Sequence, residues 1–288
     1  MAVLPALLLE AAMYIAPGFA AVRERLGRLG GWLAPVLTGS AVVPYVVMSV
    51  GAGNFRLEHL GALIVLAGVA ALWFRVTPRL PAFDLLFLVF MAGVYLTRVF
   101  VEIYVNPSGK PPFDILGRMM WVRLGIISVL MVRKVEGVEF GFLPRRREWA
   151  VGTAHFLLLM PVVLPVALWI GFVHPKEVVF GMKTLAAAAG TFIGMLWVVA
   201  LGEEFFFRGL LQQWLERWTG SFPAGLAMAA FVFGAAHITA RGFPNWRYSL
   251  VAMIAGVFYG LAYARGKSIR ASMVTHALVN TAWRVFFS

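Results

Sequence analysis

The chain of 288 residues is 61% hydrophobic and only 13% charged, with a mean hydropathy of +0.84. Soluble globular domains are about 45–50% apolar and 25% charged, so the composition predicts an integral membrane protein. The absence of cysteine excludes a disulfide framework, a thiolate nucleophile and a zinc site built on Cys. The net charge of +12 would suit a nucleic-acid partner, but we expect none, because the basic residues lie in short segments between apolar runs.

Apolar runs long enough to cross a bilayer recur along the whole chain. A spanning helix needs about 20 residues, and the first run is predicted to be an uncleaved anchor, since basic residues follow it and none precedes it. The ten runs lie at 2–22, 33–51, 59–75, 84–105, 115–132, 149–172, 184–210, 222–240, 248–264 and 271–287.

The run 115–132 is the weakest of the ten candidates for a membrane-spanning helix. Arg118 and Arg123 interrupt it and Asp114 precedes it, as in an amphipathic helix at the membrane interface. The predicted fold class is therefore all-α, a polytopic transmembrane helical bundle of about 8–10 spans.

The loops between these runs alternate in charge. If every run crosses the membrane, one side has fourteen Lys and Arg residues and the other has six. The first group is Arg23, Arg25, Arg28, Arg75, Arg79, Arg133, Lys134, Arg145, Arg146, Arg147, Arg217, Arg265, Lys267 and Arg270. The second group is Arg56, Lys110, Lys176, Lys183, Arg241 and Arg247. Because basic loops stay in the cytoplasm, the pattern predicts a bacterial inner-membrane protein with its N-terminus outside.

The segment 133–148 is the one marked change in composition. It gathers charged residues around two glycines and Pro144. It predicts a boundary between an N-terminal membrane-spanning region, 1–138, and a second region, 139–288.

Two adjacent glutamates occur within the run 184–210. A charge deep in a bilayer costs at least about 2.5–3.5 kcal/mol, so intramembrane carboxylates need a reason. Glu204 and Arg208 are four residues apart, share a helix face and are predicted to pair. Glu203 points about 100° away and is left as a candidate general base. A structural ion pair would explain Glu204 and Arg208, but it would not explain Glu203.

Two histidines on later runs are candidate partners of Glu203. Gly220 is midway between Glu203 and His237, so a helical hairpin folded there would bring these two residues opposite each other. His276 and Asn280 are again four residues apart, so both side chains can donate to one oxyanion.

Two other intramembrane features are predicted to be structural. Arg98 and Glu102 have the spacing of an ion pair on a helix. Gly256 and Gly260 form a GxxxG motif, which in membrane helices marks close packing.

Three motifs in order, Glu203-Glu204-x-x-x-Arg208, Phe233-x-x-x-His237 and His276-x-x-x-Asn280, resemble the CPBP family. That family comprises type II CAAX prenyl endopeptidases and bacteriocin-processing or bacteriocin-immunity proteins. The resemblance covers roughly 139–288, including Glu139-Phe140-Gly141-Phe142 and the basic run before Trp149. It implies an intramembrane glutamic endopeptidase without a metal or other cofactor, acting on a membrane-associated peptide or protein.

The resemblance also implies a role for each motif residue. Glu203 would be the general base, and His237 would help to hold the water. His276 and Asn280 would stabilise the oxyanion, while Glu204 and Arg208 would support them. The region 1–138 is not covered, and its role is unknown.

Three other interpretations of these residues remain open. A zinc protease could use Glu203, His237 and His276 as ligands, although the local His-Glu-x-x-His spacing is missing. A transporter or proton relay also places Glu, His and Arg inside the membrane, but the sequence has no repeated half. A non-catalytic immunity-type protein could keep the same fold.

Overall fold

The structure is a computed structural model that describes residues 3–106, 113–240 and 242–288. Two of the loop residues counted above, Lys110 and Arg241, lie outside this described part of the chain. The chain divides into two compact units, Met1–Glu136 and Gly137–Ser288. The assignment of separate roles to the two predicted regions stays a prediction.

The first unit is built from helices of unequal length. In chain order they are α1 Val3–Ile15, α2 Ala20–Arg28, α3 Leu33–Gly51, α4 Leu57–Val76, α5 Pro81–Leu96, α6 Val99–Ile103 and α7 Asp114–Arg133. A buried ion pair joins its first and last helices, since Arg123 donates to the two carboxylate oxygens of Glu10 at 2.9 and 3.1 Å.

The second unit contains the residues of the three motifs. Its helices are α8 Arg146–Trp169, α9 Met182–Thr219, α10 Phe222–Ala236, α11 Trp246–Gly266 and α12 Ile269–Phe286. Its hydrophobic core includes Leu159, Val163, Phe233, Tyr259 and Val279. Helices α8, α10, α11 and α12 all contribute to this core, which is why α10 and α12 present their motif residues toward one another.

The all-α polytopic fold is confirmed, and each of the ten predicted runs coincides with helix in the described residues. Fewer helices than predicted are long and apolar enough to cross a membrane: six within the described residues, or seven if α1 and α2, bent by 93°, form one broken span. Helices α5 and α10 are apolar but have only 16 and 15 residues. Helix α12 has 18 residues, but its charged and polar side chains lower its hydropathy.

Helix α7 corresponds to the run that the sequence marked as weakest. It is one of the six candidate spans and is largely buried, so the interpretation as an interfacial helix is not supported. Each of its basic side chains has an acidic partner. Arg118 pairs with Asp114 at 2.7 Å, Arg123 pairs with Glu10, and Arg133 pairs with Asp84 at 2.6 Å. Pairing removes much of the cost of keeping these charges in an apolar environment.

The predicted ion pair between Arg98 and Glu102 is not formed. Arg98 has a left-handed backbone, with φ of 60°, and stands between α5 and the short helix α6. The two residues are therefore not four positions apart on one continuous helix, and both side chains are exposed.

The close packing predicted for the GxxxG motif is confirmed. A Cβ atom added to Gly256 would lie 3.2 Å from the Cα of Ala230, so α10 and α11 approach each other at backbone distance. The same contact leaves the carbonyl of Gly256 able to accept a hydrogen bond from a third helix, α9.

Candidate active site

The two glutamates lie where helix α9 changes its winding. Met195–Ala200 and Phe205–Gln212 are π-helical, and the short α-helical turn Leu201–Glu204 separates them. π-helical turns are rare, and they occur frequently at functional sites. Both glutamates lie in the α-helical turn, where they point about 100° apart and meet different surroundings.

Glu204 is fully buried and its carboxylate accepts hydrogen bonds from three side chains. Arg208 donates to its Oε1 atom at 3.1 Å, which confirms the predicted pair. The Nδ1 atom of His276 lies 2.7 Å from the same oxygen, and the hydroxyl of Ser272 donates to Oε2. A buried carboxylate with this many partners is stabilised as the charged form, and at 0% exposure Glu204 is not accessible to a reacting water.

Arg208 is as completely buried as the carboxylate that it neutralises. It also donates to the carbonyl of Gly256 at 3.2 Å, and its guanidinium carbon lies 4.3 Å from the centre of the Phe233 ring. One turn later Gln212 donates to the carbonyl of Gly260 at 3.5 Å. The two glycines of the GxxxG motif thus supply the backbone acceptors that fix α9 against α11.

Glu203 has different surroundings from its neighbour. Its side chain is 32% exposed and faces a cavity. Its Oε2 atom accepts no hydrogen bond from the described residues and lies 3.8 Å from the Nε2 atom of His276. The structure therefore separates one carboxylate that is used for packing from one that faces open space.

His276 is oriented from three directions. Glu204 accepts from its Nδ1 atom, the Tyr259 ring stacks on it at 4.6 Å, and the Phe233 ring meets it edge-on at 6.0 Å. Because a carboxylate can only accept, Nδ1 has to carry a proton, and Nε2 is the atom that remains for the cavity. Asn280 follows one turn later and lines the same cavity, where its amide contacts only the weak acceptor Met195 Sδ, at 3.8 Å.

The hairpin predicted between α9 and α10 is present. Gly220 ends α9 in the left-handed conformation, with φ of 65°, and the Ser221 side chain caps α10 by accepting from the Ala224 amide. His237 follows at the C-terminal end of α10. Both Glu203 and His237 line the cavity, so the hairpin brings them to one site.

The surroundings of His237 also determine which of its ring nitrogens is available to the cavity. Its Nδ1 atom donates to the carbonyl of Phe233 at 2.7 Å, one turn back on the same helix. The rings of Phe233 and Tyr248 pack against it at 4.7 and 4.9 Å. The Nε2 atom is left to accept a hydrogen bond from a molecule in the cavity.

The cavity that joins these residues has a volume of about 400 Å³. Glu203, His237, His276 and Asn280, the four residues predicted to be catalytic, all line it, whereas Glu204 and Arg208 lie behind its wall. The rest of the lining is mostly apolar and comes from α9, α10, α11, α12 and the segments that follow α8 and α12. The arrangement can hold a small polar reactant next to an extended apolar segment.

Three residues of the site had no predicted role. Ser272 stands four residues before His276, so the helical spacing could have revealed it as a further donor to the same carboxylate. Tyr259 sits inside the GxxxG motif and was interpreted only as part of a packing surface. Phe233 was identified only as a position of the Phe-x-x-x-His motif, although its ring contacts Arg208, His237 and His276.

The alternative zinc set was Glu203, His237 and His276. Among the described residues, no group of three or more acidic or histidine side chains has the arrangement of a metal site. The residues of this set all line the cavity, but Glu203 and His276 are the pair with a close polar approach.

Residues 184–282 match the family model described as type II CAAX prenyl endopeptidase Rce1-like. The matched segment contains all six residues of the predicted site and runs from the start of α9 into α12. No curated protein and no solved structure matches the chain. The resemblance inferred from the three motifs is therefore confirmed over these residues, and the family implies a membrane endopeptidase.

Proposed function

We propose that this integral membrane protein is an endopeptidase in which Glu203 activates a water molecule to hydrolyse a peptide bond of a membrane-associated protein or peptide. The observation that carries the proposal is the contrast between two adjacent carboxylates. Glu204 is fully buried and has three side-chain donors, whereas the Glu203 side chain is 32% exposed and lines the cavity, and its buried Oε2 atom accepts no hydrogen bond from the described residues. A general base needs a carboxylate within reach of water, and of the two glutamates only Glu203 lines the cavity and is partly exposed.

In the proposed reaction, water binds between Glu203 and the Nε2 atom of His237. Glu203 takes a proton as the water oxygen attacks the scissile carbonyl carbon, and a tetrahedral oxyanion forms. The protonated Glu203 then passes its proton to the leaving amine as the carbon–nitrogen bond breaks. The products are a carboxylic acid and an amine, so no cofactor is needed to balance the step.

The oxyanion would receive hydrogen bonds from His276 Nε2 and from the amide of Asn280. Since Nδ1 is already protonated toward Glu204, His276 can donate from Nε2 only as an imidazolium. The carboxylates of Glu203 and Glu204 flank the ring and stabilise that positive charge. Asn280 can exchange its weak contact with a methionine sulfur for a stronger one with the oxyanion.

Glu204 and Arg208 act in this proposal as positioning residues. Arg208 neutralises Glu204, and Glu204 orients the His276 ring through Nδ1, as a carboxylate orients the histidine in other hydrolases. The reaction is assigned to the region 139–288, which contains every residue named. We place the chain in a bacterial inner membrane, with its N-terminus outside.

The test is to compare membrane peptides from cells that contain the intact chain with those from cells that contain the Glu203→Gln variant. Glutamine keeps the shape of the side chain but cannot accept the proton, so uncleaved precursors should accumulate. Glu177→Gln is a matched control, because Glu177 is an exposed glutamate of the same unit that does not line the cavity. Identical peptides in cells with intact chain and with Glu203→Gln would contradict the proposal.

A further inference from the structure

The second unit has two ends that differ in charge. At the basic end α8 and α12 begin and α11 ends, and the hairpin between α9 and α10 turns. At the cavity end α8, α10 and α12 end and α9 and α11 begin. Direct contacts hold each end together. Arg147 donates to the carbonyl of Arg265 at the basic end, and Lys176 donates to the carbonyl of Arg284 at the cavity end.

The cavity opens at only one of these ends in the described part of the chain. Its lining includes Lys176, His237, Tyr248 and Arg284, which lie at or beyond the helix termini of the cavity end, and it includes no residue from the basic end. The exposed side chains of Lys176 and Arg284 mark its rim.

The position of His276 along α12 would by itself suggest that a peptide enters from the basic end. His276 is seven residues from the first residue of α12 and ten from its last, or about 10 Å from the basic end and about 15 Å from the cavity end at helical rise. The shorter path is closed by buried side chains. Glu204, Arg208, Gln212, Ile269 and Ser272 are each no more than 1% exposed. A peptide therefore reaches His276 along the longer path.

Among the residues that the structure describes, exposed basic side chains are more numerous at the closed end. Six exposed Arg and Lys residues lie there: Arg145, Arg146, Arg147, Arg217, Arg265 and Lys267. The described residues of the cavity end have four: Lys176, Lys183, Arg247 and Arg284. Basic loops are retained in the cytoplasm during insertion, so the basic end is the cytoplasmic end.

We infer that the cavity opens to the non-cytoplasmic side of the membrane. This inference rests on the proposed function. It also specifies the substrate class, which is an apolar peptide segment whose scissile bond enters from the outer surface. The cavity walls fit such a segment, because Val199, Val251, Ala252, Ala255 and Val279 line it between the rim and the polar residues. A polypeptide tail that remains in the cytoplasm would not reach this opening.

Single-cysteine labelling tests the orientation directly, because the natural chain has no cysteine. Glu177→Cys is exposed beside the rim, and Arg146→Cys is exposed at the start of α8. A membrane-impermeant maleimide applied to intact cells should label Glu177→Cys and leave Arg146→Cys unlabelled until the cells are permeabilised. Labelling of Arg146→Cys but not Glu177→Cys in intact cells would overturn the inference.

A third variant, Val199→Cys, tests the cavity itself. Val199 is partly buried in the wall, so a small impermeant thiosulfonate should reach its replacement from outside the cell. If Val199→Cys reacts only when the reagent has access to the cytoplasm, the cavity opens on the other side and the inference fails.

These results do not depend on catalysis, so the two proposals can fail separately. The same three cysteines should show the same labelling in the Glu203→Gln background. If the three cysteines are labelled as expected but Glu203→Gln does not change the membrane peptides, the inferred orientation is supported and the proposed function is contradicted. If precursors accumulate with Glu203→Gln, their cleavage positions should lie toward the non-cytoplasmic end of an apolar segment. Positions at the cytoplasmic end would overturn the substrate class and leave the proposed reaction intact.

Discussion

Replacement of Arg208 by methionine should destabilise the protein strongly, and a second substitution should reverse most of the loss. Arg208 and Glu204 are 1% and 0% exposed, so Arg208→Met leaves a buried carboxylate without its cation. Removing one partner of a buried ion pair costs about 3–5 kcal/mol. The variant also loses the hydrogen bond to Gly256 and the contact with the Phe233 ring, so we expect the upper part of that range.

Glu204→Gln combined with Arg208→Met removes the uncompensated charge while keeping similar side-chain volumes. An apolar or neutral replacement for a complete buried pair is often neutral in stability, so the double variant should be more stable than Arg208→Met. The interaction energy between the two substitutions, obtained from the double-mutant cycle, should lie at the upper end of the usual range of about 0.5–3 kcal/mol for residues in contact. Cleavage should stay low, because His276 has lost its carboxylate partner.

The assay is equilibrium unfolding of the detergent-solubilised protein, with cleavage measured on the same samples. The four proteins of the cycle are the intact chain, the two single variants and the double variant. Arg208→Met with the stability of the intact chain would be inconsistent with this prediction, and so would a double variant whose loss of stability equals the sum of the losses of the single variants. Either result would mean that the pair does not neutralise a buried charge.

Three further predictions concern the chemistry of the cavity. Asn280→Ala should lower the cleavage rate by about 10²–10³, the usual effect of one oxyanion donor, and unfolding should show stability within about 0.5 kcal/mol of the intact chain. Ser272→Ala removes one of the donors to Glu204, so unfolding should show a loss of about 1 kcal/mol and kinetics a smaller rate decrease than with Asn280→Ala. Cleavage should survive prolonged treatment with a strong chelator, and bound zinc whose removal abolishes activity would instead support the ligand set Glu203, His237 and His276.

The parts of the site that follow helical spacing could be predicted from sequence. Four-residue spacing placed Glu204 beside Arg208 and put His276 and Asn280 on one face, because side chains four residues apart are neighbours on a helix surface. The hairpin about Gly220 followed from a turn signal between two apolar runs.

Contacts between distant helices could not be obtained in this way. The hydrogen bond from His276 to Glu204 joins positions 72 residues apart, and it depends on how α12 packs against α9. The sequence pattern also gave no sign of the two π-helical segments around the glutamates, because hydrophobic periodicity does not distinguish a wider turn from an α-helical one.

Among the described residues, fewer helices than predicted are long and apolar enough to cross a membrane, in part for a related reason. Apolar run length does not show where a helix bends or breaks. The run 84–105 divides at Arg98 into α5 and α6, and the first run bends between α1 and α2. Both breaks depend on backbone conformation, which composition does not record.

Cleavage of a purified precursor by the Glu203→Gln variant in lipid vesicles tests whether Glu203 is the base. We expect background cleavage together with unfolding stability equal to that of the intact chain, while Glu177→Gln cleaves at the normal rate. Near-normal cleavage by a folded Glu203→Gln variant would rule out this role and assign the polar cluster of α9, α10 and α12 a structural role.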